Sequence, residues 1–203
     1  SASEVIAQAL QDYNAAIIVG DEYSYGKGSM QYQNITDPNA AHYFKVSIGR
    51  YYTISGKTPQ LEGVKSDIVV QSEYAPYKLG ERYLQYPISR DHLGFSFTDP
   101  KNPLYKVSGV DQQHLYSSFF PKSQLKWKAM IPQLKANSQK RLSHDRNYQA
   151  FLEKIELLKA EKAKGHEILH GLSDLQMKEA VHIVQDMIVI DEIDTQERMK
   201  KRR

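Results

Sequence analysis

Three groups of residues in this sequence have the chemistry to break a covalent bond. Ser1 heads the run SASEVIAQALQDY, Lys27 lies in GDEYSYGKGSMQ (residues 20–31), and His166, Glu167 and His170 lie in GHEILHG (residues 165–171). A serine hydroxyl becomes a nucleophile when a base removes its proton, and a neutral lysine amine can be that base. Holding a lysine neutral near pH 7 takes roughly 3 pKa units, or about 4 kcal/mol, which burial can supply. Two histidines one helical turn apart, with a glutamate beside the first, instead have the spacing that binds zinc and polarises its water. The lysine segment also nearly spells a phosphate-binding loop. It fails on three counts: five residues separate Gly20 from Gly26, Gly28 stands where a magnesium-binding hydroxyl is needed, and Met30-Gln31-Tyr32 leads into strand-like sequence.

The elements around Ser1 and Lys27 decide whether the two can meet. Val5, Ile6, Ala9, Leu10 and Tyr13 recur at helical spacing, with Ser3 as the expected N-cap. The apolar run AAIIVG (residues 15–20) reads as a strand. A helix of about 15 Å followed by a strand returning at about 3.3 Å per residue carries the Lys27 loop back towards Ser1. Gly26 and Gly28 permit close backbone approach around the lysine. A helix N-terminus offers free N–H groups, that of Ala2 among them, to an oxyanion forming beside Ser1. Gln31, four residues after Lys27, has an amide oxygen able to orient the amine. Asp12 reads as a solvated residue at the helix end.

Further along, Phe44, Val46, Ile48, Tyr52 and Ile54 alternate as a half-buried strand would, and DIVVQ (residues 67–71) is another strand candidate. The first third is therefore α/β. Pro76, Pro87, Pro100, Pro103, Pro121 and Pro132 are expected to break any long element. Beyond them the chain turns helical. Tyr148, Phe151, Leu152, Ile155 and Leu158 form one stripe, closed by Gly165. Met177, Ala180, Val181, Val184, Met187 and Ile188 form a second, opened by Ser173 with Gln176 in capping-box spacing. The change of pattern near residue 75 divides the chain into residues 1–75 and a mainly helical 76–203.

Composition narrows the classes. The 203 residues hold 27 basic and 24 acidic side chains, a net charge of +3, and no basic face beyond the terminal MKKRR. That balance argues against a nucleic-acid partner. No apolar window reaches the 18 residues of a membrane span, and without cysteine there is neither disulfide nor thiolate chemistry. The opening SASEV reads as the interior of a longer protein.

The segment SASEVIAQALQDYNAAIIVGDEYSYGKGSMQ resembles the catalytic segment of the C-terminal processing, or tail-specific, serine–lysine proteases. In that family a Ser-Ala-Ser-Glu run opens a helix, a Val-Val-Gly strand follows, and Gly-Lys-Gly-Thr-Val-Gln supplies lysine and glutamine. KVSIGRYYTISGKTPQLEGVKSDIVV extends the likeness, so it covers about residues 1 to 70. The resemblance implies Ser1 as nucleophile, Lys27 as general base, Gln31 as the amide orienting the lysine, and the Ala2 N–H as an oxyanion donor, with neither metal nor cofactor. It implies the C-terminal part of a ClpP/crotonase-like protease domain, followed by a mainly helical C-terminal domain. It further implies polypeptide substrates held through apolar C-termini, a PDZ domain and N-terminal region upstream in the same protease, a periplasmic location, and homo-oligomerisation as an open question. The lysine loop is one residue longer than the family pattern, and Ser66 replaces the usual proline before Asp67. With the upstream parts missing, this piece alone is expected to be inactive.

Two other readings remain. GHEILHG could serve a zinc metalloprotease, with Glu192 or Glu197 as a third ligand, although Gly165 and Gly171 leave little helix around it. Alternatively the chain is a non-catalytic scaffold or partner-binding module.

Overall fold

The computed structural model of the chain describes residues 1–34, 44–53, 55–93, 125–160 and 174–201. In chain order its elements are α1 (Ala2–Asp12), β1 (Val19–Gly20), β2 (Ser29–Asn34), β3 (Phe44–Arg50), β4 (Ile68–Val69), a 3-10 turn (Glu81–Tyr83), α2 (Leu125–His144), α3 (Arg146–Ala160) and α4 (Leu175–Lys201). They fall into two compact units, one of Ser1–Tyr13, Tyr23–Lys65 and Gly80–Lys122, the other of Asn14–Glu22, Ser66–Leu79 and Ser123–Arg203. No helix among the described residues is long and apolar enough to cross a membrane.

In the first unit, α1 begins earlier than its capping pattern predicts. The Val5 N–H donates to the Ser1 carbonyl at 3.0 Å, so Ser1 is the N-cap and Ser3 lies within the first turn. The apolar stripe expected to pack does not: Ile6 is 61% exposed, and the side chains that α1 buries are Glu4 and Gln8. Strands β2 and β3 pair antiparallel, with Ser29 opposite Arg50 and Tyr32 opposite Val46. The alternation that predicts β3 holds for the backbone, but Phe44, Val46 and Ile48 all face out. Polar partners account for the inversion in α1. Glu4 is withdrawn from water because backbone N–H donors meet its carboxylate, and Gln8 because its amide donates to Asp12 at 3.1 Å; a satisfied polar group can occupy an interior position.

The second unit has an ordinary apolar core. Strand β1 lies parallel to β4, Val19 opposite Ile68. Ile68 and Val70 pack with Met130 and Leu134 of α2, Tyr148, Phe151 and Ile155 of α3, and Ile183 of α4. The expected run of strand at residues 15–20 shortens to Val19–Gly20, and that at 67–71 to Ile68–Val69.

Three expectations change here. Pro132 does not break the chain, because α2 runs from Leu125 through it to His144. Proline removes one helical N–H bond, whereas Met130, Leu134 and Ser138, four residues apart, are all buried along one face. The cap of α4 is Asp174, whose Oδ1 accepts the Met177 N–H at 2.8 Å, while Gln176 donates to the Val70 carbonyl at 2.7 Å rather than closing a capping box. Ser173 and Gly165 lie outside the described residues. Finally, α4 buries Glu179 and Ile183 and leaves Met177, Val181, Val184 and Ile188 exposed. Ile183 packs in the core with Leu175, Met187 and Ile190 against it, and Arg141 of α2 pairs with acids of the same helix, donating to Glu179 at 2.7 Å and to Asp186 at 2.5 Å.

Candidate active site

The first unit carries Ser1, Ala2, Lys27 and Gln31. Ser1 is exposed at the head of α1, and its hydroxyl makes no capping bond among the described residues. Ala2 is the first helical residue, so its N–H belongs to the first-turn amides that have no acceptor within the helix.

Lys27 reaches this helix through Glu4. The Glu4 carboxylate is buried and accepts the Gly26 N–H at 2.6 Å, the Lys27 N–H at 2.9 Å and the Ser24 hydroxyl at 2.5 Å. Ser24 in turn accepts the Val64 N–H at 2.7 Å. One side chain in the first turn of α1 thus holds the backbone of the lysine loop, as the geometry of helix and returning chain predicts. The glycines on either side are required by contact. Gly26 has φ of +93°, and a Cβ there would lie 2.8 Å from the Leu61 carbonyl oxygen. A Cβ on Gly28 would lie 2.5 Å from Thr58 Oγ1, and the Gly28 N–H donates to Gln60 at 2.9 Å.

The lysine amine itself is half-buried and donates to Ser29 Oγ at 3.3 Å. Ser1 Oγ and Lys27 Nζ share no hydrogen bond. Catalytic contacts commonly tighten only when substrate is bound. Gln31 stands two residues beyond Ser29 on β2, opposite Ser47, with its side chain exposed. The amine's partner is therefore Ser29, a residue given no part in the sequence reading.

Tyr51, for which the sequence suggests packing or the lining of a groove, is a second group at the site. Its single hydroxyl proton is shared between the Ser1 carbonyl, at 3.0 Å, and the Lys27 carbonyl. Burial, and secondarily the Glu4 charge, pushes the phenol up to about 12, so it remains a protonated donor. Asp12 is not a solvated helix end: it accepts the hydroxyls of Thr53 and Ser55, each at 2.5 Å, and pins the turn after Tyr51 and Tyr52 to α1. Glu4 could have been suspected from its place in Ser-Ala-Ser-Glu, since an acidic side chain in a first helical turn can receive N–H groups. The Tyr51-Tyr52 pair stands out locally as a turn motif, but the role of Tyr51 here does not, because its two acceptors lie 50 and 24 residues away.

Among the described residues no cluster of histidine, aspartate and glutamate could hold a metal. His166, Glu167 and His170 lie outside them, while Glu192 and Glu197 are exposed on α4.

Comparison with known proteins places this geometry in context. Residues 1–70 match peptidase family S41. Over 89 residues the chain is 39% identical to a carboxy-terminal-processing protease of Bartonella bacilliformis, covering 44% of this chain and 19% of that protein. Over 74 residues it is 35% identical to a tail-specific protease of Haemophilus influenzae, covering 34% of this chain and 10% of that protein. The chain thus spans a fifth or less of the length of either relative.

Proposed function

We propose, from the similarity of residues 1–70 to peptidase family S41, that this chain carries the Ser/Lys centre of an endopeptidase of the C-terminal processing type. Ser1 Oγ attacks the scissile carbonyl of a polypeptide, and the neutral Lys27 amine takes the hydroxyl proton. The Ala2 N–H donates to the oxygen that becomes negative, aided by the N-terminal dipole of α1. The protonated lysine then delivers its proton to the leaving amine, and water attacks the acyl-serine with Lys27 again as base. Ser29 holds the amine on the face where it must act, and Gln31 joins it when substrate orders the site.

The observation that supports this most is the grip of Glu4 on the Gly26 and Lys27 amides, which ties the lysine loop to the helix that Ser1 opens. The complete protein contributes the remainder: residues 1–75 form the C-terminal part of its protease domain, 76–203 a helical C-terminal domain, and a PDZ domain with an N-terminal region precedes them. Its substrates are polypeptides with apolar C-termini, and its location is the periplasm. The chain alone lacks peptidase activity under this reading. In the full-length protein, Lys27→Ala lowers turnover by about 10³-fold, as expected for loss of a general base, and chelators leave turnover unchanged. Activity that survives Lys27→Ala but disappears with chelator contradicts the reading and favours zinc at His166 and His170.

A further inference from the structure

The serine and lysine of the proposed dyad are 26 residues apart in sequence and sit on different pieces of backbone, one at a helix start and one in a loop. Side-chain chemistry between them therefore depends on what fixes the separation of those two pieces. Glu4 holds the lysine loop by its amides, but it leaves the carbonyl side of Lys27 free to turn. Tyr51 occupies that side. Its own backbone is anchored, because its N–H donates to the Gly28 carbonyl at 3.2 Å, one step beyond the Ser29–Arg50 pair that ends the β2–β3 ladder. From that anchor the phenol reaches the carbonyl oxygens of both Ser1 and Lys27. The Ser1 carbonyl already accepts the Val5 N–H, so the phenol engages its second lone pair and bears on the first turn of α1 itself.

We infer that Tyr51 is a positioning residue, its one hydroxyl bridging the backbones of Ser1 and Lys27 and so setting the distance between nucleophile and base. The inference rests on the Ser/Lys reading above. The hydroxyl suits the task because it stays protonated well above neutral pH, as its place beside Glu4 and away from water requires. A misplacement of about 1 Å in such a pair costs on the order of 10²-fold in rate. Packing of the ring alone would make no such demand on the oxygen.

The test is Tyr51→Phe in the full-length protein, with Tyr52→Phe as control, since the neighbouring hydroxyl donates to the exposed Asp91, itself paired with Arg50. Peptide cleavage, the rate of covalent labelling by a fluorophosphonate, and thermal stability are measured together. Tyr51→Phe is expected to lower kcat and the labelling rate by the same factor, about 10 to 10². KM stays within about twofold, since the interaction removed is one that acts on the transition state. Tyr52→Phe leaves all three unchanged. Site-specific 3-fluorotyrosine at position 51 keeps the hydroxyl and acidifies it, so the alkaline fall of kcat moves to lower pH. A Tyr51→Phe protein of lowered stability but wild-type kcat per folded molecule, or a 3-fluorotyrosine protein with an unmoved alkaline limb, overturns the inference. If Lys27→Ala retains full activity, the Ser/Lys reading itself falls, and that outcome is distinct because it does not involve position 51.

Discussion

In the first unit the side chains withdrawn from water include Glu4, Gln8, Ser29, Thr53, Thr58, Gln60 and Glu81, while Ile6, Leu10, Met30, Tyr32, Phe44, Val46 and Ile48 are 40 to 66% exposed. In the second unit Ile68, Val70, Met130, Leu134, Tyr148, Phe151, Ile155 and Ile183 are buried, joined by the polar Ser138 and Glu179. The contrast separates two tasks. A core of well-packed apolar groups stabilises without directing chemistry. A core of hydrogen-bonded polar groups gives little net stability per bond but fixes positions, since each donor left unpaired in the interior costs about 1 to 3 kcal/mol. The exposed apolar faces of α1 and of the β2–β3 ribbon form the kind of surface that other protein covers. That fits a chain spanning a fifth or less of its relatives' length.

The sharpest way to break this comparison is Glu4→Ala. It strands the N–H groups of Gly26 and Lys27 and the Ser24 hydroxyl, and each charge-assisted bond contributes about 1.5 to 3 kcal/mol. Turnover of the full-length protein is expected to fall by about 10³-fold or more, and retained activity would show that the polar interior does not position the lysine. Leu134→Ala probes the opposite interior. Leu134 is fully buried, so urea unfolding should show a loss of about 3 kcal/mol, with turnover per folded molecule unchanged.

Arg141→Met is smaller. It leaves Glu179 buried and without its bidentate partner, a change that costs about 3 to 5 kcal/mol for a fully buried pair; Arg141 is partly exposed, so about 2 kcal/mol is expected by the same unfolding measurement. Smallest is the alkaline response of Tyr51. Its phenol is raised in the fold, so the unfolded chain loses this proton first as pH rises through about 10. Stability from this group is complete below that pH and disappears between about 10 and 12. Denaturation scans should show this component of the decline in wild type and lack it in Tyr51→Phe.

Local pattern made some of this legible and long-range pairing hid the rest. The periodicity of Tyr148, Phe151 and Ile155 identifies α3 and its buried face correctly, because an apolar helix stripe in the second unit meets an apolar neighbour. The same rule applied to α1 identifies the helix but the wrong face, because partners 20 and more residues away draw Glu4 inward, with Gln8 beside it on the buried face. For α4, the inward face is the one on which Ile183 meets the core and Glu179 meets Arg141 of another helix, partners that the local pattern does not contain. Pro132 misleads because a proline rule weighs one lost bond and cannot see Leu134. At the site, Ser1, Lys27 and the role of the flanking glycines are visible as a motif, whereas Ser29 and Tyr51 become visible only once strands and turn are in place.

The most direct test of the account is covalent labelling of the full-length protein with a fluorophosphonate, followed by peptide mapping, in wild type and Lys27→Ala. A Ser/Lys centre predicts modification at Ser1, at a rate reduced by about 10³-fold when the lysine is removed. Modification elsewhere, or labelling of Ser1 that is indifferent to Lys27, would contradict it.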